Sequence, residues 1–192
     1  MKYYAIKDSN KNEIVTSWQL CQEALKSYTN PKFKSFNTKE EAEAFIKGIV
    51  LDDGIKMPKA YIDGSYNSKT NCYSFGGVLI IDGVSQTFKK KYEEDEYSKL
   101  RNVAGEIKGA GFIINYCIKK GIKELHIFYD YEGIEKWYTG MWQAKSNIAI
   151  EYQKFASVAK EKIKIVFHKV ESHTNNHYND LADKLAKEAV GI

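Results

Sequence analysis

The sequence predicts an α/β protein: a mixed sheet with helices packed on it, preceded by a small α+β module. Three observations point there. Residues 73–81 and 84–92 flank Asp82-Gly83, a two-residue hairpin signal. Beyond residue 100, helical and extended patterns alternate, which adds further strands and covering helices to that hairpin. Residues 48–58 carry two Gly, an Asp-Asp-Gly turn and one of only two Pro in the chain. They read as a short linker between a module at 1–47 and a larger domain at 59–192.

The module opens with a strand over residues 3–7, a polar turn, and a second strand over 14–16. Ser17 is placed to cap a helix over 18–28. After Asn30-Pro31, Lys32-Phe33-Lys34-Ser35-Phe36 alternates as a strand. Thr38-Lys39-Glu40-Glu41 has the capping-box pattern, and Ala42, Phe45 and Ile46 give the next helix an apolar face. In the larger domain a strand covers 60–63, followed by a polar stretch to Thr70 and then the hairpin. A helix covers 102–120, a strand 125–129, helices 132–138 and 148–161, and a strand 163–168. A polar loop at 171–176 leads into a last helix that reaches Val190.

The chain has 192 residues, 43% hydrophobic and 28% charged, a composition that excludes disorder and collagen-like or low-complexity polymers. No apolar run approaches the roughly 18–20 residues of a membrane span, and the N-terminus shows no signal-peptide pattern. Cys21, Cys72 and Cys117 are too few and too scattered for a disulfide framework or a cysteine zinc site. Reduced thiols and a cytoplasmic location are expected. The net charge of +4 does not demand a polyanionic partner, and Arg101 is the only Arg among 29 basic residues.

Acidic residues stand where the apolar pattern disfavours them. Asp63 follows the strand residues Tyr61-Ile62, and Asp130 follows Phe128-Tyr129. Each alone reads more simply as a turn or cap residue. Glu106 borders the apolar stripe of its helix, set by positions 103, 107, 110, 114 and 118. A solvated edge residue is the plainer reading there. Asp183 lies in the last helix, on one face with Asn179, and is spaced to pair with Lys187. Four carboxylates on two strands and two helices would suit hard divalent cations if they converged. His173 and His177, in and after the polar loop, lack a nearby third ligand for zinc. A loop His suits proton transfer, and solvated loop histidines are the alternative.

Tyr61-Ile62-Asp63-Gly64-Ser65, Asn102-Val103-Ala104-Gly105-Glu106-Ile107, Phe128-Tyr129-Asp130 and Ser172-His173-Thr174 with Asn179-Asp180-Leu181-Ala182-Asp183 resemble the four motifs of type 1 ribonucleases H, in order. The resemblance covers about residues 59–192. It implies a ribonuclease H-like five-stranded mixed sheet and endonucleolytic hydrolysis of the RNA strand of RNA–DNA hybrids, leaving 5′-phosphomonoesters. It further implies two Mg²⁺ ions per site, with Mn²⁺ as substitute, held by Asp63, Glu106, Asp130 and Asp183. His173 matches the family's loop histidine, and Asn179 the polar residue one turn before the last carboxylate. Arg101, Asn102 and Val103 stand where relatives often have Thr-Asn-Asn-like residues that touch nucleic acid; Arg101 would offer a charged phosphate clamp. Tyr131 stands where the family commonly has Ser.

Tyr3-Tyr4-Ala5-Ile6, Trp18, Cys21, Lys32-Phe33-Lys34-Ser35-Phe36 and Glu41-Ala42 with Phe45 resemble the hybrid-binding, viroplasmin-like domain of these enzymes. That implies Trp18 and Phe33 on DNA sugars, with Tyr4 on the same face, and Lys32 and Lys34 on phosphates. The residues agree: between Ala24 and Thr38 there are three Lys and no acid. Aromatics beside Lys suit recognition of a duplex by shape. Trp18 and Phe33 as core aromatics are the competing reading. The expected partner is an RNA–DNA hybrid, with no membrane and no obligate protein partner. A non-catalytic hybrid-binding protein and a nuclease of broader specificity are the alternative functions.

Overall fold

In a computed structural model, residues 2–47, 57–170 and 177–192 are described. The linker expected at 48–58 falls mostly outside them, as do the loop 171–176 and His173 within it. The chain divides into two compact units, Met1–Gly54 and Ile55–Ile192.

The first unit holds β1 (Tyr3–Lys7), β2 (Asn12–Val15), α1 (Trp18–Leu25), β3 (Lys32–Phe36) and α2 (Lys39–Lys47). Its sheet runs β2-β1-β3, all antiparallel. On one face Ile6 packs with Cys21 and Tyr28 from α1 and its tail. On the other, Phe36 packs against Phe45 of α2, with ring centroids 5.5 Å apart. Both helix starts follow the local chemistry of the sequence. The Ser17 hydroxyl accepts from the Leu20 N–H at 3.2 Å. Thr38 and Glu41 close the capping box, with the Glu41 N–H on Thr38 Oγ1 at 3.2 Å and the Thr38 N–H on Glu41 Oε2 at 3.1 Å. Helix α1 ends at Leu25, three residues before the expected 28. There the Ser27 hydroxyl donates to the Ala24 carbonyl at 2.8 Å, and the chain tightens into i→i−3 turns.

The second unit holds β4 (Lys59–Asn67), β5 (Cys72–Ile81), β6 (Val84–Tyr92), α3 (Asn102–Lys119), β7 (Glu124–Tyr129), α4 (Gly133–Thr139), α5 (Asn147–Ala159), β8 (Lys164–Lys169) and α6 (His177–Val190). The sheet order is β6-β5-β4-β7-β8, with β4, β5 and β6 antiparallel and β4, β7 and β8 parallel. This is the five-stranded mixed sheet flanked by helices. At the β5–β6 turn Asp82 and Gly83 both have positive φ, 50° and 78°, as a primed two-residue hairpin requires.

The main difference from the sequence reading is β4, which continues through Asp63 and Gly64 to Asn67. Nine consecutive pairs with β5 override the poor strand propensity of Asp and Gly. Alternation along β4 then puts Ala60 and Ile62 on the face covered by α3 and Tyr61 on the face covered by α6. The α6 helix is clamped to the sheet by Ser74 Oγ on the Ala186 carbonyl at 2.6 Å and Asn67 Nδ2 on the Val190 carbonyl at 2.9 Å. All three cysteines are buried free thiols. Among the described residues no helix is long and apolar enough to cross a membrane.

Candidate functional site

Asp63 sits in mid-β4, opposite Gly76 of β5. Asp130 follows the last residue of β7. The β4 and β7 strands pair only as far as Tyr61 and Phe128, so both aspartates lie just beyond that pairing, on the α6 face. Two glycines beside Asp63 let the flanking helices close in. A Cβ at Gly64 would stand 2.1 Å from the Asn102 carbonyl oxygen and 2.8 Å from Glu106 Cγ. A Cβ at Gly76 would stand 2.0 Å from the Ala182 carbonyl oxygen. The first lowers α3, and with it Glu106, onto β4; the second lays α6, and with it Asp183, over Asp63.

Asp63, Glu106 and Asp130 each bring a carboxylate oxygen within 4.8 Å of the other two. Glu106 is only 2% exposed, not the solvated edge residue that its place on the helix allowed. Its Oε1 accepts from Asn102 Nδ2 at 3.2 Å, while its Oε2 is buried without a hydrogen-bond partner. Burial, then the charges of Asp130 and Asp63, push the Glu106 carboxyl up to about 9. Burial and the Asp130 charge raise Asp63 to about 7. Acids crowded together under burial, with one oxygen of Glu106 buried and unpartnered, fit a divalent cation: it would offset their repulsion and use the free oxygen. All donors are oxygens, which suits Mg²⁺ or Mn²⁺ over softer metals.

Asp183 is adjacent but apart from that trio. Its charge raises Asp63, yet its Oδ2 accepts from Lys187 Nζ at 2.8 Å, the i,i+4 pair that the spacing allowed. Asn179, one turn earlier, is buried. Arg101 is exposed and takes a positive φ of 54° where α3 begins. Sequence reasoning missed an aromatic strip beside the trio. The Tyr131 ring lies 5.7 Å from Trp137, Trp137 lies 6.0 Å from Trp142, and Lys136 Nζ stands 4.8 Å over the Trp142 ring. Its signal was present: residues 136–145 hold two Trp and two Lys and no acid.

In the first unit Trp18 and Phe33 are 45% and 46% exposed, outside the small core of Ile6, Cys21 and Tyr28. Trp18 links Tyr4, at 5.8 Å between ring centroids, to Phe33, at 6.1 Å. Lys32, next to Phe33 in the strand, is exposed, and Lys34 Nζ lies 5.6 Å over the Phe36 ring. Tyr4, partly buried against the core, and the exposed Trp18 and Phe33 form a row of rings, while alternation along the edge strand β3 turns Lys32 and Lys34 to its other face.

Residues 2–46 match the family model described as the ribonuclease H1 N-terminal domain. A ribonuclease H of Prosthecochloris aestuarii is 35% identical over 60 residues, covering 30% of this chain and 41% of that protein. One of Chlorobium chlorochromatii is 33% identical over 61 residues, with the same coverage of 30% and 41%. The chain thus spans about two fifths of the length of the curated relatives it matches. Among solved structures, ribonuclease H1 of the halophilic archaeon Halobacterium salinarum superposes with a TM-score of 0.58 at 20% identity, over 70% of this chain and 98% of that one. LC11-RNase H1, solved in complex with an RNA/DNA hybrid, gives 0.55 at 17% identity, over 69% and 99%. The first unit is thus similar to a ribonuclease H1 N-terminal domain, and the second unit has the fold of the ribonuclease H1 structures.

Proposed function

We propose that this protein is a ribonuclease H: an endoribonuclease that hydrolyses the RNA strand of RNA–DNA hybrids, with an N-terminal platform that tethers the hybrid. The observation that carries the reading is the trio Asp63, Glu106 and Asp130, with oxygens within 4.8 Å, on a ribonuclease H1 fold. In this reading water attacks the phosphorus of an RNA phosphodiester and the bond to the 3′-oxygen breaks, leaving a 3′-hydroxyl and a 5′-phosphate. Two Mg²⁺ ions, or Mn²⁺ in their place, would supply an activated water and neutralise the leaving oxygen when bound. Asp63, Glu106, Asp130 and Asp183 would hold them. Asn102 fixes one oxygen of Glu106 and so aims the other at the site. His173, outside the described residues, assists proton transfer or product release.

Substrate contacts extend the same reading. Tyr4, Trp18 and Phe33 present flat apolar faces to the sugars of the DNA strand, and Lys32 and Lys34 hold its phosphates. Arg101, Asn102 and Asn179 contact the duplex at the acidic site, with the strip Tyr131–Trp137–Trp142 as a second aromatic surface beside it. A weak binding module joined to the catalytic unit raises the local concentration of hybrid and favours long substrates.

The test is cleavage of a labelled RNA–DNA hybrid in Mg²⁺, with Asp130→Asn as control and double- and single-stranded RNA alongside. Wild type should cut the hybrid, and the variant should bind it without cutting. Binding without cleavage by wild type, in Mg²⁺ and in Mn²⁺, would overturn catalysis and leave a hybrid-binding protein. Comparable cleavage of RNA without DNA would replace hybrid specificity with a broader nuclease.

A further inference from the structure

The fourth carboxylate is already engaged by a cation of the chain's own. Lys187 lies one helical turn after Asp183 on α6, and its Nζ donates to Asp183 Oδ2 at 2.8 Å. The pair is half exposed, 48% for the Lys187 side chain and 36% for Asp183. Lys187 also acts on Asp63, whose carboxyl it holds down against the upward push of burial and of the Asp130 and Asp183 charges. Gly76 admits the α6 backbone beside Asp63, and the Asp183 charge is felt there, yet Asp183 is absent from the trio whose oxygens converge.

We propose that Lys187 is a resident counter-ion of the carboxylate site, which a divalent cation must displace from Asp183 before all four acids hold metal. This rests on the reading of the carboxylates as a metal site. Two physical facts shape it. An exposed ion pair is weak, so a doubly charged ion outcompetes it. The competition nevertheless sets the metal concentration at which the site fills, because Lys187 occupies an Asp183 oxygen and offsets charge that an arriving ion would use. Lys187 is therefore a positioning residue, acting on metal through Asp183. A plain helix-surface pair would stabilise α6 slightly and leave metal affinity untouched.

The experiment is calorimetric titration of the full chain with MgCl₂ and with MnCl₂, without nucleic acid. Lys187→Met should bind either ion about three- to fivefold tighter, the span of an exposed ion pair. Lys187→Arg should stay near wild type. In an Asp183→Asn background the gain from Lys187→Met should shrink below about twofold, since the two substitutions act on one interaction. Equal affinity of wild type and Lys187→Met would overturn the proposal. So would an undiminished gain in the Asp183→Asn background, which would mean simple long-range charge. Absence of metal binding by wild type and by Lys187→Met would instead overturn the metal reading of the carboxylates, and this proposal with it.

Discussion

The two units break the burial rule in opposite directions. The first leaves Trp18 and Phe33 almost half exposed although its own core is small. The second buries Glu106 to 2% exposure, with Asp63 and Asp130 against it. An exposed aromatic forgoes burial energy that its unit could have used. A buried, crowded carboxylate costs stability directly, because its charge is unsolvated and repelled. The comparison separates two kinds of candidate functional residue. Those on the platform are exposed, so their removal should leave the fold intact. Those in the acidic trio oppose the fold, and in the proposed reading a bound cation would relieve them.

The largest effect expected follows from removing one charge of the trio. Asp63→Asn should lower hybrid cleavage at least about 10²-fold while hybrid binding persists, measured by cleavage and by gel shift of the same labelled duplex. Next come Trp18→Ala and Phe33→Ala. Each should weaken hybrid binding about tenfold, the scale of losing one aromatic contact, with cleavage at saturating hybrid and melting temperature nearly unchanged. A clear drop in melting temperature would make these rings core residues and dissolve the contrast between the units.

The pH dependence sharpens the other side. Folding raises the Glu106 carboxyl from the usual 4.5 to about 9, so the folded state binds the proton more tightly than the unfolded chain. Stability of the metal-free protein should therefore fall as pH rises from about 4.5 towards 9. Glu106→Gln should flatten that fall and raise the melting temperature in EDTA at pH 8 by a few degrees, roughly 3–6 °C. Mg²⁺ should stabilise wild type more than this variant. An equal slope with pH in both proteins would show that the crowding is relieved some other way. The smallest effect serves as a neutral reference: Thr38→Ala should cost about 1 kcal/mol in the first unit through loss of its helix cap, with cleavage at saturating hybrid unchanged.

Much of the scaffold was legible where the signal is local. Ser17, Thr38 with Glu41, and Asp82-Gly83 act on backbone groups within a few residues of themselves, so their residue types suffice. Gly140, with φ 89°, ends α4 in the same local way. Where the chain was misjudged, a distant partner intervened. The β4 strand runs on through Asp63 and Gly64 because β5 pairs with it residue by residue, and no nearby residue announces that. The strip Tyr131–Trp137–Trp142 was missed because two Trp spaced five apart on a short helix and its following turn match neither periodic pattern.

By itself, the sequence determined the order of the elements, the division near residue 50, and the candidate carboxylates in their motifs. Only the tertiary structure decided that Asp63, Glu106 and Asp130 meet, that Asp183 stands outside that trio, and that Trp18 and Phe33 face solvent. The physical reason is range. Caps and turns are settled by neighbours a few bonds away. The meeting of residues 63, 106 and 130 depends on the register of β4 with β7 and on how closely two helices approach Gly64 and Gly76, quantities fixed by packing across the whole sheet.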